Sequence, residues 1–159
     1  MLKLLVRYLP ALAGLSVLGL SVSPSLALVT RNTAVLVNSG STNTIGYRIY
    51  LSPSGEASYV DGNGQKTGTV PERIVKKFFQ QIQVDMPLSQ LPVKQPCIKS
   101  TSFGTETFVS FNGEQSPDVS CPGNRKAEKL FTDASEIVQF LHVTNVPRSQ
   151  GQELPPQVF

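Results

Sequence analysis

The segment from residue 97 to residue 121, "CIKSTSFGTETFVSFNGEQSPDVSC", carries the only two cysteines of the chain, one at each end. Between them, Thr105, Thr107, Val109 and Phe111 fall on one alternating face and Glu106, Phe108 and Ser110 on the other, the period of a β-strand. Asn112-Gly113 then signals a tight turn, and Pro117 limits the strand that can return from it. The spacing therefore predicts a short hairpin with marginal backbone pairing, fastened by a bond between Cys97 and Cys121. Phe103 and Phe108 lie off the Val109–Phe111 face, so the strand is expected to touch neighbours on both faces or to change register near Gly104.

Whether the cysteines pair depends on the compartment. Lys3 and Arg7 precede a charge-free apolar run from Leu9 to Val22, and "SPSLALV" places Ser25 and Ala27 where a cleavage site needs small residues. Residues 1–27 read as a secretory signal peptide, and the apolar run is shorter than the roughly 20 residues a membrane span requires. The expected product is periplasmic or secreted, with no stable membrane insertion after cleavage. In an oxidising compartment two cysteines most simply form one disulfide. Closing a loop of about 25 residues contributes roughly 3.5 kcal/mol in the chain-entropy estimate.

Removal of residues 1–27 takes away Lys3 and Arg7. The remaining twelve Lys and Arg face eleven Asp and Glu, so the formal charge falls from +3 to +1. With no Lys/Arg block, zinc-finger spacing or aromatic-rich basic stripe, no nucleic acid partner is expected.

Upstream of the hairpin, Ala34–Val37 and Ile45–Leu51 are β-favouring runs, "SPSG" is a turn, and "EASYV" can return as a further strand. "DGNGQKTG" reads as a loop, giving a meander of two or three strands. In "PERIVKKFFQQIQVDM" the period changes. Ile74, Phe78 and Ile82 recur every four residues, Val75 and Phe79 widen the stripe, and Arg73, Lys76, Lys77, Gln80 and Gln81 cover the other side. Downstream, Ala127, Leu130, Phe131, Ala134, Ile137, Val138 and Leu141 mark a second amphipathic helix through "KAEKLFTDASEIVQFL". The reading is an α+β fold, an antiparallel β-meander and a disulfide-stapled hairpin packed with two amphipathic helices, in a single domain over residues 28–145. Residues 146–159 read as a flexible C-terminal tail.

Chemistry is harder to find. His142, the sole histidine, follows a helix end with no acid at a recognised spacing. The serines lack a nucleophile-elbow motif, and Asp133 with Glu136 reads as surface charge on a helix. With neither C-x-x-C spacing nor a histidine cluster, no catalytic residue, metal site or cofactor is expected. The loop "KSTSFGT" has two readings. Its serines can satisfy a turn while Phe103 enters the core, or Lys99, Ser102 and Phe103 can form a binding surface beside the disulfide.

The Ser-Phe-Gly and Ser-Pro-Asp segments between flanking cysteines, followed by "KAEKLFTDASEIVQFL", resemble small exported cyanobacterial proteins of uncharacterised function. The resemblance covers about residues 97–141 and implies an exported single domain, with no activity or catalytic residue to transfer. The functional expectation is a noncatalytic extracytoplasmic interaction domain, such as an inhibitor or envelope-associated factor, bound to an extracytoplasmic protein and more readily a non-enzyme than an enzyme. The alternatives are a small secreted hydrolase, in which changing His142 should abolish turnover, and a structural protein without a specific ligand.

Overall fold

The alternation seen in "AVLVN" sets the centre of the sheet. Ala34 and Leu36 are fully buried, and their strand, β1 (Ala34–Asn38), pairs on both sides. The computed structural model describes residues 32–100, 102–144 and Pro147. The expected signal peptide and the tail apart from Pro147 lie outside the described residues.

Strand β1 pairs with β2 (Tyr47–Leu51), which pairs in turn with β3 (Glu56–Asp61) and β4 (Gly64–Thr69). On its other side β1 pairs with β5 (Thr107–Phe111), followed by the two-residue β6 (Glu114–Gln115). All pairings are antiparallel, in the order β4-β3-β2-β1-β5-β6. The meander thus has four strands, one more than its apolar runs predict. The segment assigned to a loop includes β4, "GQKTGT", an edge strand held by its ladder with β3 rather than by burial. Polar and glycine residues hide such a strand from hydrophobic periodicity.

The hairpin forms at the expected place. Asn112 and Gly113 take φ of 50° and 85°, the left-handed pair that a two-residue turn requires. Thr107, Val109 and Phe111 are the buried face of β5 and Phe108 is half-buried. The returning strand stops after two residues, just ahead of Pro117.

Helix α1 (Glu72–Asp85) starts at Pro71, whose carbonyl accepts from the amides of Ile74 and Val75. Helix α2 (Arg125–Phe140) starts at Asn124, whose side chain accepts from the Ala127 amide at 2.9 Å. Phe78, Ile82, Leu130 and Ile137 are fully buried and share one core with Leu36, Ile49, Leu51 and Val109 of the sheet. Each such side chain contributes about 1.5–3 kcal/mol by leaving water. Phe79 joins helix to sheet directly, its ring 5.6 Å from that of Phe111 in an edge-on arrangement.

Where the helices meet, the expected polar faces are partly buried. Gln81 and Asp85 are both 4% exposed, bonded to one another at 2.9 Å, and Lys129 donates to Gln81 at 2.7 Å. Asp133, expected on the surface with Glu136, is 1% exposed and pairs with Lys77, which also bonds Glu136. The cation from the other helix is what permits a carboxylate at this depth. Among the described residues, no helix is long and apolar enough to cross a membrane.

Candidate functional site

Beyond β6 the chain cannot continue a ladder through Pro117, and side chains take over the pairing of β5. Ser116 Oγ accepts from the Val109 amide at 2.9 Å, and Asp118 Oδ1 accepts from the Thr107 amide at 2.9 Å. The same Oδ1 accepts from the Ser120 amide at 3.1 Å and from Ser120 Oγ at 2.6 Å. Lys99 reaches the other oxygen, Oδ2, and also donates to the Thr105 carbonyl and, at 2.6 Å, to Ser120 Oγ. All three ammonium protons thus have acceptors. Burial alone would raise the Asp118 pKa, but the hydrogen bonds from Lys99, Ser120 and the Thr107 amide outweigh it and hold the carboxyl below its usual range.

The disulfide joins this network to the chain ahead of it. Cys97 and Cys121 are bonded, with Cα atoms 5.8 Å apart. The backbone brings the two segments together independently: Lys94 N donates to Cys121 O at 2.8 Å, Gly123 N to Pro92 O at 3.0 Å, and Val93 bridges Pro122. Cys97 Sγ lies 3.8 Å from Asp118 Oδ2. One ligand atom each from Cys97, Asp118 and Cys121 lie within 4.8 Å of one another, and all three residues line a cavity of about 620 Å³ together with Lys99, Glu106 and Phe108.

This grouping of two sulfurs and a carboxylate on one cavity overturns the expectation of a noncatalytic interaction domain and of a non-enzyme. It is a constellation of the kind found at metal and catalytic centres. It also overturns the expectation that the segment offers no metal-ligating set. In the disulfide the sulfurs are not thiolates, so the set is a ligand set only after reduction. The sequence signal that was missed is Asp118, three residues before Cys121 in "DVSC". The third member, Cys97, is brought in by the fold.

Of the three expected binding residues, only Lys99 lines the cavity, and its charge is spent on internal acceptors. Ser102 uses its carbonyl to accept from Ser41 Oγ at 2.8 Å and from the Asn43 amide at 3.3 Å. Phe103 is 67% exposed, which corrects the reading that places it in the core. Gly104 holds the loop's tight return: a Cβ there would meet Lys99 Cβ and the Ser100 carbonyl at 2.5 Å. His142 lies at the end of α2, exposed with φ of 52° and its amide on the Gln139 carbonyl, away from the cavity lining. A hydrolase at this cavity does not run through His142.

Comparison with protein-family models and with curated proteins finds no match for this chain.

Proposed function

We propose that the chain is a small exported hydrolase acting on a polar substrate in the cavity beside Cys97 and Cys121. The observation that carries this reading is the convergence of Cys97, Asp118 and Cys121 on a cavity that Glu106 also lines. Export is supported by the positive, apolar and small-residue order of residues 1–27.

The residues divide by their freedom. Asp118 is saturated by its donors and serves as a fixed negative point that positions Lys99 and the 116–121 segment. Glu106 is held through its backbone, its amide on Ser39 Oγ and its carbonyl on the Ser39 amide, each at 2.9 Å, while its side chain is exposed at the cavity. It is the carboxylate able to take a proton from an attacking water. Phe108 supplies an apolar wall.

The test is a panel of chromogenic esters, phosphomonoesters, glycosides and peptides with the chain after removal of residues 1–27. Saturable turnover is expected for one class, and Glu106→Gln should lower kcat by about 100-fold or more with an unchanged circular dichroism spectrum. Turnover in none of the classes, or full turnover in the Glu106→Gln variant, refutes the reading.

A further inference from the structure

We infer that opening the Cys97–Cys121 bond converts this corner of the cavity into a zinc site made by the two thiolates and Asp118. The inference deepens the hydrolase reading and rests on it only for what the metal would be used for. The donor set suits zinc: two soft sulfurs and one carboxylate are three protein ligands, and the cavity leaves a fourth position open to water. Zinc lengths of about 2.3 Å to sulfur and 2.0–2.2 Å to oxygen require ligand atoms about 3.3–3.8 Å apart. Atoms already within 4.8 Å reach that spacing through small side-chain rotations.

Two features make the reduced site something other than a broken staple. The backbone contacts of Lys94 with Cys121, of Gly123 with Pro92 and of Val93 with Pro122 do not pass through sulfur, so they keep the cysteines adjacent. Lys99 balances the charge. Two thiolates and the Asp118 carboxylate carry three negative charges, and the zinc ion with the Lys99 ammonium carries three positive ones. Lys99 shares Oδ2 with the metal while keeping Thr105 O and Ser120 Oγ as acceptors.

The steps balance with a dithiol as the reductant. Its two thiols give two electrons and two protons to the Cys97–Cys121 bond, yielding two cysteine thiols and the cyclic disulfide of the reagent. Zinc then displaces the two cysteine protons into solvent. When bound, the metal supplies Lewis-acid polarisation at the open position.

The experiment titrates zinc against a chromophoric chelator into the oxidised chain and into the chain reduced with a dithiol that is removed beforehand, and repeats the reduced titration with cobalt(II). One zinc per reduced chain is expected, at least about 100-fold tighter than to the oxidised chain, with thiolate-to-cobalt charge-transfer bands. Asp118→Asn should weaken reduced-state binding at least about tenfold. Because Asp118 also supports the fold, the wild-type cobalt spectrum is a second, variant-free readout. A reduced chain that unfolds and refolds on adding zinc also supports the site. Equal affinity in both redox states, or cobalt bound without thiolate bands, overturns it. Zinc binding without turnover leaves this inference standing and removes the hydrolase reading. Turnover by the oxidised chain that zinc does not change does the reverse for the metal's role.

Discussion

Lys77 Nζ on α1 lies 2.8 Å from Oδ1 of Asp133 on α2, a carboxylate whose side chain is 1% exposed, in a charge pair that lies outside hydrogen-bonding angles. Lys77→Met would leave that carboxylate buried without its nearest cation and should destabilise the protein by about 1–3 kcal/mol, a figure reduced because Lys77 itself reaches solvent. Asp133→Asn with Lys77→Met should recover part of the loss. Urea unfolding of the two single variants and the double variant checks both.

The alkaline limb of stability should reflect two groups. Asp133 and then Glu136 raise the Lys77 pKa above 10.5, so its contribution is complete below that value and is lost as pH rises through the higher folded value. Burial pushes the Tyr47 hydroxyl from 10.0 to about 12, so the unfolded chain ionises first and stability falls between those values. Tyr47→Phe should flatten the fall in denaturant midpoint between pH 10 and 12. An unchanged slope would show that Tyr47 ionises equally in both states.

At the acid end Asp118 dominates. Its folded pKa lies below 3.8, so its contribution is present above the unfolded value and is lost as pH falls through the folded one. Asp118→Asn should lower stability at neutral pH by about 1–3 kcal/mol and remove part of the slope below pH 4. Parallel pH profiles for wild type and variant would contradict this.

Gly104→Ala places a methyl against Lys99 Cβ and the Ser100 carbonyl, contacts that require the loop to move. Stability should drop by about 1–3 kcal/mol. The same variant should lower reduced-state zinc affinity, because the displaced Lys99 no longer balances the thiolates. Denaturation and the chelator titration measure the two effects separately.

Elements that state their burial in their own pattern were legible from the chain: the alternation of "TFVSF", the four-residue spacing of Ile74, Phe78 and Ile82, and the Asn112-Gly113 turn. Strand β4 was not, because a polar edge strand is defined by its partner's hydrogen bonds. Asp133 was misplaced for a related reason, since its solvation comes from a lysine on another helix. The candidate site was half legible. The cysteine pair follows from their number and the expected compartment, whereas the meeting of Asp118 with Cys97 depends on how residues 92–94 pair with residues 121–123.

The substitution of Ser116 and Asp118 side chains for strand backbone also affects how copies of the molecule meet. An open sheet margin invites another chain to add a strand, and a two-residue β6 with Pro117 behind it offers almost no template for that addition. With its Val109 and Thr107 amides already taken by a hydroxyl and a carboxylate, β5 has few free donors to offer an incoming strand. The network that sets the chemistry of the cavity is therefore also a guard against fibril-like stacking, and loss of Asp118 would expose a growth point as well as a weaker fold.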